Sequence, residues 1–114
     1  WMISNSVLQI VQPDLHYYGG FVRSTRVARM AARAGLPITV HLSAGDTGFS
    51  EMANFCSLTP NIGKFQELKQ GVEETGTFFD PPILVRNGSL TVPHAPGMGM
   101  LHADDLLKNA KTII

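Results

Sequence analysis

Two short apolar runs, spaced like the strands of one βαβ unit and each closing on a residue able to do acid–base chemistry, constrain this chain more than any other feature. Val7-Leu8-Gln9-Ile10-Val11-Gln12 ends at Pro13-Asp14, and Ile38-Thr39-Val40 ends at His41. The first run, almost continuously apolar, reads as a strand buried on both faces, as in a parallel sheet. Between the runs, Gly19-Gly20 punctuate a loop and a helix is expected from Phe21 to about Ala34. Val27, Met30, Ala31 and Ala34 fall at i, i+3, i+4 and i+7 and predict its apolar face, with Arg23, Arg26, Arg29 and Arg33 pointing elsewhere. Gly35 stops the helix and Pro37 keeps it stopped. Strand, helix and strand in this order give parallel strands joined by a right-handed crossover.

The alternation continues. The stretch Ser43-Ala44-Gly45-Asp46-Thr47-Gly48 reads as a loop, and Ser50 as the cap of a helix from Glu51 to about Leu58 that buries Met52, Phe55 and Cys56. Lys64-Phe65-Gln66-Glu67 reads as a third strand. Beyond it the pattern changes. Ile83-Leu84-Val85-Arg86 and Ser89-Leu90-Thr91-Val92 flank Asn87-Gly88, a strong hairpin signal. Pro93, Pro96, Gly97 and Gly99 make an irregular stretch, and a short helix is expected over 103–111, with Asp104 and Asp105 favouring its N-terminal dipole.

Composition removes several function classes. Nine Lys and Arg balance nine Asp and Glu, which argues against nucleic acid or an anionic membrane as a partner held by charge. The arginines therefore read as a solvated helix face. Apolar residues make up 44% of the chain, enough for a core, while charged residues are only 16%, against about 25% in typical domains. Much of the surface thus expects a cover. One cysteine, Cys56, excludes an internal disulfide framework and a Cys-rich zinc site. There is no apolar run long enough to cross a bilayer and no basic leader, so a cytoplasmic location is expected. A chain of 114 residues opening on Trp1-Met2 reads as one domain or a fragment of a larger one.

Asp14 and His41 stand at the C-terminal ends of consecutive parallel strands, the end where functional groups of α/β sheets gather. Neighbouring strands lie about 4.8 Å apart, so a carboxylate on one can hold an imidazole on the next with one ring nitrogen protonated and the other free as a base. On these residues alone a second reading stays open: a structural strand-end histidine, with Asp14 capping the turn after Pro13. Glu67 could equally be a solvent-facing strand end. Cys56 reads as core. His16, His94 and His102 lack a metal-ligand spacing and read as loop histidines, with His16 close enough to Asp14 to line a site. Gly97-Met98-Gly99 is a turn rather than a dinucleotide fingerprint, and Ser43 lacks the G-x-S-x-G elbow of a serine nucleophile.

Val11-Gln12-Pro13-Asp14, Gly19-Gly20 opening a helix, Ala34-Gly35-Leu36-Pro37 before a strand ending in His41, Phe65-Gln66-Glu67, the Asn87-Gly88 hairpin, and Val92-Pro93 followed by Pro96-Gly97-Met98-Gly99-Met100 together resemble the mandelate racemase group of the enolase superfamily over nearly the whole chain. The resemblance implies an α/β fold: the C-terminal part of a TIM-type β/α barrel, with its last three strands within about residues 1–80 and a hairpin segment over about 81–114. It implies abstraction of the proton alpha to a substrate carboxylate by His41, oriented by Asp14, with Glu67 hydrogen-bonding that carboxylate and Mg²⁺ stabilising the enediolate. The family's metal ligands, second-strand lysines and capping domain fall on parts of the barrel that these residues do not supply. The 114 residues alone are therefore expected to be inactive and poorly folded. The implied parent is a homo-oligomer acting on a small carboxylate, either as a sugar-acid dehydratase or as a racemase or epimerase of a 2-hydroxy acid. A truncated, non-catalytic interaction module is the remaining alternative.

Overall fold

The computed structural model describes residues 1–43, 45–68, 79–80, 83–92, 94–99, 101–102, 108 and 111. Its elements in chain order are helices α1 (Gly20–Arg33) and α2 (Gly45–Leu58) and the short strands β1 (Phe79–Asp80), β2 (Val85–Arg86), β3 (Ser89–Leu90) and β4 (Leu101–His102). Ahead of α1, between the helices and after α2 run three extended segments joined by parallel bridges: Val11 with Ile38, Asp14 with His41, and Ile38 with Ile62. The segment at 38–41 is thus central, with one neighbour on each side.

The expected βαβ unit forms, but its first strand is shorter than the apolar run. Residues 1–6 form a turn closed by Asn5 N–H to the Trp1 carbonyl. Pairing starts only at Val11, whose N–H donates to the Pro37 carbonyl. Val7 and Ile10 are more than half exposed, so this run is not buried on both faces. The physical reason is that the described chain places a partner on only one side of it.

Gly19 and Gly20 take φ of 100° and 71°, left-handed values at which a side chain would be strained. They turn the chain into α1, with Gly20 N–H bonded to the Leu15 carbonyl. At the other end Gly35, at φ 69°, lets Leu36 N–H reach the Ala31 carbonyl and its own N–H reach that of Ala32. These are the two bonds of a Schellman motif. The buried face of α1 corrects the expected one. Ser24, Ala28 and Ala31 are buried, Val27 is partly buried, and Met30 and Ala34 are exposed. Counting Ser24 as polar rotated the expected face; small side chains line the contact, and the four arginines are exposed as expected.

Helix α2 begins six residues earlier than its predicted start at Glu51. Gly48 read as a loop signal, yet a Cβ there would lie 1.7 Å from the Ser43 carbonyl oxygen. The glycine serves close approach within the first turns. Ser50 is buried inside the helix rather than capping it. Phe49, Met52 and Phe55 join Ile38, Val40, Leu42, Ala28, Ala31 and Leu15 in the core, to which the hairpin adds Ile83. Alternate residues 38, 40 and 42 point into this core, as the period of an extended chain requires.

The third expected strand, Lys64–Glu67, is not a strand. Backbone pairing to the central segment occurs at Ile62, where Ile38 N–H donates to the Asn61 carbonyl and Gly63 N–H to that of Ile38. Beyond it two side chains continue the ladder. Val40 N–H donates to Gln66 Oε1 at 2.9 Å and Leu42 N–H to Glu67 Oε2 at 2.8 Å. A backbone N–H needs an acceptor, not specifically a carbonyl of a strand, and this sequence supplies an amide and a carboxylate.

The hairpin forms as expected, with Val85 opposite Leu90 and Arg86 opposite Ser89. Asn87 and Gly88 both take positive φ, 52° and 72°, as a two-residue type I′ turn demands. β1 and β4 pair antiparallel, a pairing the local pattern did not announce. The helix expected over 103–111 lies, apart from Lys108 and Lys111, outside the described residues, as do Pro93 and Met100. No helix among the described residues is long and apolar enough to cross a membrane.

Candidate active site

The parallel register carries Asp14 and His41 to the same rim. His41 N–H donates to the Pro13 carbonyl, so the two residues face each other across one bridge. Asp14 Oδ2 lies 2.6 Å from His41 Nδ1. An ionised carboxylate only accepts, so Nδ1 carries the proton and Nε2 of the neutral ring is left with its lone pair. The two side chains differ in access: 45% of His41 is exposed against 15% of Asp14.

Asp14 is held by more than the imidazole. Its Oδ1 accepts the backbone N–H groups of His16 and Tyr17, both at 2.7 Å, and the Ser43 hydroxyl at 3.1 Å. Burial by itself would push this carboxyl upward. The donors from Tyr17, His41, Ser43 and His16 outweigh it and hold the group well below its ordinary 3.8, at about 2. Asp14 therefore does cap the turn after Pro13, one of the two sequence readings. It does so with the oxygen that His41 leaves free, so the two readings coexist.

Glu67 reaches the same rim by a different route. Its Oε2 accepts Leu42 N–H and lies 3.4 Å from Gln12 Nε2. The carboxylate thus stands beside the residue following His41, linking the first and third segments across the central one. The three sequence candidates come together on one edge of the parallel segments.

Sequence reasoning missed three contributors. Ser43, weighed only as a nucleophile, is a donor to Asp14. His16, read as a loop histidine, places Nε2 2.8 Å from Glu51 Oε2, a charge contact rather than an aligned hydrogen bond, and ties the Asp14 loop to α2. Gln66 carries the ladder hydrogen bond of Val40. None of these had a local signature, because each depends on groups brought together from distant positions. Cys56 behaves as the core residue expected: burial pushes its thiol up to about 11. Among the described residues no three His, Cys, Asp or Glu side chains converge to hold a metal ion. The described part of this chain does not fit a metal site.

Parallel segments with crossover helices and an acid–imidazole pair on their C-terminal rim describe a barrel enzyme in part. Residues 1–105 match the enolase C-terminal domain-like family, and the chain belongs to that family. It is 29% identical over 105 residues to the arabinonate dehydratase of Saccharolobus solfataricus, covering 91% of this chain and 28% of that protein. It is 21% identical over 99 residues to the D-xylonate dehydratase of Haloferax volcanii, covering 87% and 24%. Among solved structures, it superimposes on a mandelate racemase/muconate lactonizing enzyme-like protein from Roseovarius sp. TM1035 with a TM-score of 0.76 and 28% identity, over 92% of this chain and 26% of the other. An enolase from Pseudomonas fluorescens Pf0-1, solved with bound magnesium, potassium and tartrate, matches in fold with a TM-score of 0.75 and 24% identity, over 94% and 26%. The chain spans less than a third of the length of each of these proteins.

Proposed function

We propose that this chain supplies the proton-transfer side of a barrel enzyme that dehydrates a sugar acid, with His41 as the base, Asp14 as its partner and Glu67 at the substrate carboxylate. The observation that carries the reading is the 2.6 Å hydrogen bond between Asp14 and His41 on the strand-end rim. It protonates Nδ1 and leaves Nε2, on a half-exposed ring, as the base. The choice of dehydration is supported by the likeness to arabinonate and D-xylonate dehydratases.

In this reading Nε2 takes the proton from the carbon alpha to the carboxylate. The C–H electron pair passes into the carboxylate as an enediolate. The imidazolium then gives the same proton to the hydroxyl on the next carbon, which leaves as water as the C–C double bond forms. The product enol becomes a 2-keto acid. One histidine serves both steps, and Asp14 stabilises the charged ring between them. Such a carbon acid is weak, so the developing anion needs strong stabilisation. Mg²⁺ supplies that when bound, and its ligands are expected on barrel strands outside these residues.

Racemisation of a 2-hydroxy acid is the second reading, favoured by the likeness to a mandelate racemase-like protein. It needs another base on the opposite face of the substrate, outside this chain. The test is exchange of the substrate's α-hydrogen in D₂O, with the chain in its complete barrel. His41→Asn is expected to abolish exchange. Undiminished exchange would remove His41 from the mechanism, and exchange with inversion but no loss of water would favour the racemase.

A further inference from the structure

Ser43 is 5% exposed, and its hydroxyl is the third donor to Asp14 Oδ1. The two backbone N–H groups already fix that oxygen at 2.7 Å each, so the carboxylate does not need the hydroxyl to hold its direction. A third hydrogen bond does something else: it draws off negative charge that would otherwise act on the imidazole through Oδ2. We propose that Ser43 is a positioning residue that acts on His41 through Asp14, tempering the ring's hold on its proton. This rests on the reading of His41 as a base that must return the proton it takes. Such a group works best when it binds the proton neither too weakly nor too strongly. The other titratable groups near the pair among the described residues are Glu67, engaged with Leu42 N–H, and the His16–Glu51 contact from the Asp14 loop and α2.

The experiment follows the ring nitrogens of His41 by NMR through a pH titration, in the complete-barrel protein with labelled histidine. Ser43→Ala is expected to move the midpoint upward by about half a pH unit, and Ser43→Thr, which keeps the hydroxyl, to return it. A merely structural serine gives no upward movement. An unchanged or lowered midpoint in a folded Ser43→Ala variant overturns the proposal, as does a Ser43→Thr variant that behaves like Ser43→Ala. Because the titration needs no substrate, it stands or falls apart from the reaction. If the reaction is also as proposed, Ser43→Ala raises α-hydrogen exchange relative to water loss by about threefold, half a pH unit expressed as a rate ratio. A ratio that falls while the midpoint rises would leave the charge effect standing and sink the dehydratase reading.

Discussion

The two βα units of this chain, the first from Val11 through α1 and the second from Ile38 through α2, are built alike and loaded differently. The first ends in a carboxylate held by four donors and mostly shielded from solvent. The second ends in an imidazole with a single hydrogen-bond partner among the described residues and nearly half its surface open. Their helices divide in the same way. α1 buries Ser24, Ala28 and Ala31, while α2 buries Phe49, Met52 and Phe55, with the edge of the Phe55 ring set against Phe21 at 5.6 Å. The first unit restrains a charge, and the second carries the reach and most of the bulk. A base that must move a proton needs both: a partner that does not move, and access of its own.

The sharpest way to break this comparison is kinetic. In the complete barrel, His41→Asn is expected to lower α-hydrogen exchange by about 10³-fold or more, and Asp14→Asn by a smaller factor near 10². The first deletes the base; the second disturbs only its orientation and the charge on its ring. Equal losses would erase the distinction between a working residue and a restraining one. The isolated 114-residue chain is expected to show no exchange.

Packing provides the next contrast. Phe55→Ala should destabilise by about 3–5 kcal/mol, because a large ring leaves a cavity. Ala31→Leu should cost about 1–3 kcal/mol by the opposite mechanism, forcing bulk into a face built of small groups. Denaturant unfolding midpoints measure both. An innocuous Ala31→Leu would mean that α1 does not sit against its neighbours as described.

The restrained charge also sets a pH dependence. The Asp14 carboxyl lies at about 2 against an ordinary 3.8, so folding favours its ionised form. Its contribution to stability is complete above about pH 4, falls as pH drops through that window and is gone below about 2. Asp14→Asn should flatten that part of the acid unfolding profile, and a profile of unchanged slope would show that the donors do not hold the charge.

The smallest expected change is a gain. The Ser24 hydroxyl is fully buried with no partner. Ser24→Ala should raise stability by about 1 kcal/mol, removing an unmet polar group and improving helix propensity. A loss on substitution would mean that the hydroxyl has a partner after all.

Much of this architecture could be read from local chemistry. Gly19, Gly20 and Gly35 announce the ends of α1 because only glycine takes those backbone angles without strain. Asn87-Gly88 announces the hairpin for the same reason. Asp14 and His41 are conspicuous because parallel register brings strand ends of similar position to one rim. Gly48 misled because the same residue serves a loop and a close contact alike, and Ser24 because a hydroxyl counts as polar wherever it lies.

The amino-acid order therefore determined what depends on near neighbours: the crossover unit, its stops, the tight turn and the pairing of an acid with an imidazole. Tertiary structure alone decided what depends on which groups meet across the chain. Gln66 and Glu67 stand in for a missing strand, Ser43 and two backbone N–H groups crowd one oxygen of Asp14, and His16 finds Glu51. Buried donors and acceptors must be satisfied, but the sequence does not say by whom, since any suitable group that folding brings within about 3 Å will serve.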